Sequence, residues 1–523
     1  MKRILFTIIT LTLGLVATNA QNPSWAKKAA QAVFTLKTFN ADGTLLSRSN
    51  GCFISDNGEA VSGFTPFKGA QRAVVIDADG KEWPVDCIIG ANDMYDVAKF
   101  QVTGKKFAAL TVARTPAGSG AAVWLLPYAA KKAPACVRGT VSNAEQFQNT
   151  YSYYTLALSA GEQHTSSPVL NEQGEVIGLL QPSASSQSSA SYAVSAAFAA
   201  DMRANGLTMN DATLRTTAIT KALPDKQDEA VLSLFLAASV MNAGQYSDYI
   251  ERFIQKFPKA PDGYIYRARQ AQAANNFAAA DEDMKQAVKV ADKKDDVHYQ
   301  YAQMIYQKEL YQSDQPFELW NLNRALEESR EAYATNPLPV YRQQQAQILY
   351  AQQQYAEAYS VYEELSKGDL RSADIFYAAA QCKLQQDDKR AAVVLLDSAV
   401  SMFTRPYVKT AAPYLQARAR LSMDIRRYQQ AINDMQDVVA LEPTDAELWA
   451  EKASYELRVN LFDQALESAQ ECVRLAPDYS DGYLMSGIAQ CAKGNKAEGL
   501  QNLNKAKELG NSQAQTFIDK YAK

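Results

Sequence analysis

Histidine is almost missing from this chain of 523 residues: His164 and His298 are the only two. Chemistry that needs an imidazole base must use one of them, and a zinc site built on several histidines is excluded. Cysteine is sparse too, with six residues and no pair at the spacing of a metal knuckle or redox motif. Charge of one sign is absent. The 53 basic and 57 acidic side chains leave a net −4, so the concentrated basic surface of a nucleic-acid binder is not there. The chain also lacks a phosphate-cradling glycine loop before a helix, an HExxH and an EF-hand pattern, so no cofactor and no metal are expected. What remains is an ordinary globular composition, 47% hydrophobic and 21% charged. At about 150 residues per domain, the length corresponds to roughly three domains.

No stretch is long enough to span a bilayer, which takes about 20 apolar residues. The N-terminus instead has the pattern of a cleaved secretory signal over 1–20. Lys2 and Arg3 precede an apolar run from Ile4 to Val16, and the small residues Thr18 and Ala20 come before Gln21. The first cysteine is Cys52, so no lipid-attachment cysteine follows the cut. The expectation is an exported protein without a transmembrane span, periplasmic in a cell with two membranes and secreted otherwise. That compartment permits disulfides, and Cys472 with Cys491 is the pair to test first, because the repeat register below puts them on neighbouring helices.

Beyond the leader the chain changes period. From 24 to 204, short alternating runs predict strands: Ala32 to Thr38, Ala73 to Ile76, Val85 to Ile89, Val97 to Val102, Ala121 to Leu126 and Glu175 to Leu180. Turn residues such as Asp56-Asn57-Gly58 and Asp79-Gly80 separate them, as in a barrel or sandwich. Ser183 to Ser191 is small and polar and reads as a surface loop. Residues 205–227, a threonine-rich stretch with Pro224, read as a linker or connecting helix.

From 228 to 523 the strand signals vanish and a repeat appears. Ala358, Ala392, Ala431 and Ala465 follow one another at intervals of 34, 39 and 34, with Ala280 and Ala325 before them. Twelve residues before five of the six lies another alanine: Ala268, Ala346, Ala380, Ala419 and Ala453. Twelve residues after three of them lies a proline, Pro337, Pro443 or Pro477. Two helices that cross closely need small residues at the crossing, and a proline-containing turn ends the second helix. The pattern resembles the tetratricopeptide repeat, with Trp449 and Tyr483 on its fourth position and about eight units before a capping helix from Ala514 to Lys523. The resemblance implies an all-α solenoid whose groove takes a protein or peptide. In the family geometry that groove is lined here by Gln343, Gln347, Tyr377, Gln381, Gln416 and Arg420.

The N-terminal half carries a second resemblance. Ser49-Asn50-Gly51-Cys52-Phe53-Ile54-Ser55-Asp56-Asn57-Gly58 and Asp93-Met94-Tyr95-Asp96-Val97-Ala98 resemble segments of trypsin-like serine peptidases of the bacterial Deg type. So does Val169-Leu170-Asn171-Glu172-Gln173-Gly174-Glu175-Val176-Ile177-Gly178. The resemblance implies an all-β double barrel and puts the family's histidine, aspartate and serine at Thr65, Asp96 and Thr165. The motif around the nucleophile reads Gln163-His164-Thr165-Ser166-Ser167-Pro168, with all three family glycines replaced. Threonine cannot accept a proton near neutral pH, so a hydroxyl at 165 has no base. His164 is next in sequence to Thr165, and neighbouring side chains point apart on an extended chain. His298 is expected to be structural or solvated, and Asp96 to bond nearby main chain. The chain is therefore expected to be multidomain and not an enzyme, an exported scaffold whose helical groove binds a protein or peptide. Two alternatives stand beside this: an active serine- or threonine-type peptidase with substrate-recruiting repeats, and a holdase for unfolded exported proteins.

Overall fold

In the computed structural model, residues 22–182 and 190–522 are described. The leader 1–20 and most of the serine-rich run lie outside them. The chain divides into two compact units, up to Tyr266 and from Arg267 onward.

The first unit holds two closed antiparallel six-stranded barrels. The first is built from β1 (Val33–Phe39), β2 (Leu45–Phe53), β3 (Glu59–Ser62), β4 (Arg72–Ile76), β5 (Glu82–Asn92) and β6 (Val97–Val102), in the order β1-β2-β3-β6-β5-β4. Along β1 the side chains alternate between two cores. Phe34 and Leu36 enter the barrel with Phe53, Phe64, Phe67 and Phe100, whereas Val33 points the other way. The β2–β3 turn depends on Gly58, whose φ of 96° and 2.1 Å approach of a would-be Cβ to Val102 O leave no room for a side chain.

The second barrel contains β7 (Ala122–Leu125), β8 (Val137–Phe147), β9 (Tyr151–Ala157), β10 (Pro168–Leu170), β11 (Val176–Leu180) and β12 (Ser191–Ser195), in the order β10-β11-β12-β9-β8-β7. Val123, Leu125, Leu156, Val169 and Ile177 fill it. A third apolar cluster joins the barrels, with Val33, Cys52, Val61 and Val97 from the first against Leu170, Val176, Leu179 and Val194 from the second.

Residues 205–227 are an ordered part of this unit. Leu214, which opens the second of two 3₁₀ turns, and Ile219 beyond it enter the core of the first barrel. Ile88 donates its N–H to Thr220 O and accepts from Ala222 N–H, each at 2.8 Å, so Lys221 runs parallel beside β5. The helices Gln227–Val240 and Ala243–Lys256 then pack Ala230, Leu234, Tyr249, Ile250 and Phe253 around Met209.

The second unit is an array of paired α-helices running to Ala514–Tyr521. Every alanine that the period singles out, from Ala268 through Ala280 to Ala465, is fully buried. Methyl groups alone occupy these crossings, which is why the repeat needs alanine there. Pro337, Pro443 and Pro477 sit in the turns between successive pairs. The insertion after Tyr311 returns Trp320 to the core, where its indole N–H donates to Asp281 Oδ1 at 2.8 Å. No helix among the described residues is long and apolar enough to cross a membrane.

Cys472 and Cys491, the pair singled out for testing, are both free thiols. Cys472 abuts Gly482 at the start of the helix Ser480–Ala492, whereas Cys491 sits near its end against Gly499. Nine residues of helix correspond to about 13 Å, beyond the reach of one bridge.

Candidate functional site

The three positions that the resemblance aligns with a catalytic triad lie around the seam between the barrels. Thr65 opens a short 3₁₀ turn after β3 and is exposed. Asp96 lies in the β5–β6 turn with φ 45°. Its Oδ1 accepts the main-chain N–H groups of Phe64 at 3.0 Å and Thr65 at 2.6 Å. The carboxylate thus holds the backbone of the turn that carries Thr65, the role expected of an aspartate without its histidine.

Thr165 ends a 3₁₀ turn formed by Glu162–His164. Its N–H donates to Glu162 O at 3.0 Å, and its Oγ1 donates to the same carbonyl at 2.8 Å. In acyl transfer, the N–H of the nucleophilic residue faces outward to stabilise the oxyanion. Here both donors of Thr165 turn back into the loop.

The loop is also pinned from the first barrel. Asn50 Nδ2 donates to Gln163 O at 2.9 Å and Thr165 O at 3.1 Å. Ser166 occupies a motif glycine position with φ 64°, a left-handed backbone that is uncommon without glycine. Its buried Oγ accepts Gly63 N–H at 3.0 Å and a hydrogen bond from Ser49 Oγ at 3.1 Å. A Cβ on Gly63 would come within 2.7 Å of Ser166 Oγ and 3.1 Å of Asp96 Oδ2. Ser166 and Asp96 therefore lie against Gly63, two residues before the base position. Sequence reasoning assigned no role to Ser166 or Asn50; the replaced glycine was the available signal for the first.

His164 Nε2 lies 3.3 Å from the Gln163 side-chain amide. Burial pushes its pKa below the ordinary imidazole value, which keeps the ring neutral at pH 7. His298 is structural: its Nδ1 lies 2.5 Å from the buried Glu328 carboxylate and ties two neighbouring helices.

The double barrel defines the N-terminal domain as a trypsin-like peptidase fold. A family model described as "Trypsin-like peptidase domain" matches residues 49–179. Among solved structures, the chain is similar to the HtrA-type protease AlgW with tripeptide: 20% identity, 34% of this chain, 62% of that one, TM-score 0.29. It is also similar to the Rv3671c protease from M. tuberculosis in its active form: 16% identity, 42% of this chain, 97% of that one, TM-score 0.32. The fold assignment rests on the barrels and the family match rather than on these overlaps. A curated relative, small glutamine-rich tetratricopeptide repeat-containing protein 2 from Saccharomyces cerevisiae, is 28% identical over 101 residues. That match covers 19% of this chain and 29% of the relative, so the chain spans less than a third of that protein.

The residues expected to line a groove sit on first helices of the pairs, and three of them are engaged by other side chains of the array. Tyr377 packs edge-on against Tyr414, with ring centroids 5.8 Å apart. Gln416 Nε2 donates to Glu451 Oε2 at 2.8 Å, and Arg420 forks onto the same carboxylate at 2.6 and 3.0 Å. Burial alone would raise the Glu451 pKa, but the bonds from Arg420, Gln416 and Tyr455 hold it below its ordinary value. Gln343 and Gln381 are half-buried and Gln347 is exposed. The sequence reading missed a concavity of about 510 Å³ between the helices Pro261–Ala273 and Lys294–Tyr311. Gln272, Gln300, Gln303 and Gln307 line it; the last three share one helix face by their spacing, a signal present in the sequence.

Proposed function

We propose that this protein is an exported adaptor whose helical array resembles tetratricopeptide repeats and holds extended segments of a protein partner, while its trypsin-like domain has lost cleavage. The observation that carries this reading is the double commitment of Thr165 to the Glu162 carbonyl, with Thr65 rather than a base at the other motif position. The glutamine-lined concavity supports the binding half. Side-chain amides donate and accept at once, so they can satisfy both groups of a peptide backbone.

The matched family model favours a second reading, an active peptidase with substrate-recruiting helices, since it describes a peptidase domain. His164 would then be the base for Thr165. Incubation with unfolded casein and a fluorophosphonate probe separates the two. The adaptor reading expects no cleavage and no labelling; labelling that disappears in Thr165→Ala establishes the peptidase. An affinity pull-down under native conditions addresses partners. An adaptor retains one or a few proteins, whereas a holdase suppresses aggregation of several unrelated clients.

A further inference from the structure

The helix Gln227–Val240 is apolar on both of its long faces. Between Ala230 and Val240 its only polar side chains are Ser233 and Ser239. One face is used within the chain, where Ala230, Ser233, Leu234 and Ala237 are buried. The opposite face is not: Leu232 is 40% exposed, Phe235 64% and Val240 46%. Leu207 extends this patch. It is 64% exposed, and Gly206 before it lies against the Leu232 side chain. A helix that is apolar all round belongs where both sides are covered.

The register of the helices makes Phe235 an exception. It follows Leu234, which lies 34 residues before Ala268 and is fully buried like it. One residue past the equivalent buried alanine, the next five first helices carry Arg269, Gln303, Gln347, Gln381 and Arg420. A polar groove therefore does not account for a phenylalanine at this place. The exposed stripe runs Asp228, Leu232, Phe235, Ser239, spaced four, three and four residues. That is the seam of two packed helices, and it reads the same in both directions. Its two ends differ in charge. At the start, Asp228 and Glu229 share one cation, Lys226, which pairs with Glu229 at 3.0 Å. At the far end, the concavity beside Ser239 and Val240 carries Arg215, Lys221 and Arg252 against Asp248, and Asp86 takes Arg252. Carboxylates are in excess by one at the first end and cations by one at the second.

We propose that this face is the contact between two copies of the chain, with the two helices antiparallel across a two-fold axis. The axis passes through the centre of the stripe. Leu232 of each copy then meets Phe235 of the other, and the acidic end of each meets the basic end of the other. A patch that is complementary to itself is what a two-fold contact requires. This face uses none of the triad positions, and pairing does not depend on whether the domain cleaves peptides.

The test is the mass of the full mature chain in solution, by sedimentation or light scattering, from about 1 to 100 μM. It should rise from one chain to two. Phe235→Gln, which copies Gln303, Gln347 and Gln381, should weaken pairing about tenfold or more. Val394→Gln, at an exposed apolar side chain elsewhere, should not. Asp228→Arg and Arg215→Glu should each weaken pairing, and the two together should restore it, because each new cation then meets a new carboxylate across the axis. Phe235 is exposed, so an unchanged thermal melt shows that its variant is folded. A single-chain mass throughout, pairing unchanged in Phe235→Gln, or charge variants that do not restore each other overturn the proposal. So does a single-chain protein in which Phe235→Gln instead releases a retained partner, since the face then belongs to that partner.

Discussion

Thr165 directs its amide and its hydroxyl to one acceptor, the carbonyl of Glu162, and this arrangement separates two obstacles to catalysis. Replacing the missing side chains addresses only the first. Thr65→His with Thr165→Ser would restore base and nucleophile, yet the amide would still face into the loop. We expect this double variant to show no fluorophosphonate labelling above background. Adding Gln163→Gly and Ser166→Gly should release the turn and raise labelling by about 10²-fold or more, the worth of one oxyanion donor. If the double variant already labels as fast as the fourfold one, the turn is not an obstacle. The motif resemblance singled out Thr65, Asp96 and Thr165 in the sequence. The direction of the Thr165 amide was not legible, because it depends on a carbonyl, and every residue type supplies one.

Between helices, arginines that fork onto buried aspartates join the two members of a pair at a spacing of 16 residues. Arg418 forks onto the fully buried Asp434 with both bonds at 2.8 Å, and Arg267 binds Asp283 at 2.9 and 2.6 Å. Arg418→Ala would leave Asp434 buried without its fork and should cost about 3–5 kcal/mol in urea denaturation. Arg418→Met with Asp434→Leu removes both charges and should recover most of that loss. A double variant as unstable as the single would show that packing, not charge, sets the cost.

Asp281 is the second such device: Tyr301 O–H, Trp320 N–H and Lys285 converge on it. Burial raises its pKa, but these bonds outweigh burial and leave it below the ordinary carboxylate value. Its contribution is therefore complete above about pH 4 and is lost as pH falls through the lowered value. Asp281→Asn should flatten that part of the stability–pH curve, read by Trp320 emission. An unchanged curve would remove Asp281 from the account.

Legibility at this scale follows physical contrast. The alanine crossings were visible because only methyl groups fit there. β8 and β9 were missed for opposite reasons. β8 buries little beyond Val141, whereas β9 has Tyr151 and Tyr153 on one face and Tyr154 on the other, which masks a period of two. Gln416 and Arg420 were expected to line a groove; both bond Glu451 instead, which lies one pair further along, and no local pattern ties it to them.

At the scale of the molecule, composition placed the boundary between the barrels and the helices at residues 204–228, whereas the first compact unit continues to Tyr266. The reason is in the connecting segment, whose threonine-rich sequence conceals two core residues. Leu214 and Ile219 are 3% and 4% exposed inside the first barrel, and Ile88 exchanges two main-chain hydrogen bonds with Thr220 and Ala222. The first helix pair adds the Arg252–Asp86 fork to β5. A fragment of residues 22–204 loses all of this. The two side chains are worth about 1.5–3 kcal/mol each, and the two hydrogen bonds about 1 kcal/mol each. The sum, about 5–8 kcal/mol, is comparable to the whole stability of a typical domain, about 5–15 kcal/mol. The fragment 22–204 should therefore be insoluble or melt without cooperativity, whereas 22–258 should unfold in one cooperative transition. Equal melting temperatures for the two fragments would mean that the barrels are complete by residue 204 and that the connecting segment only rests on them.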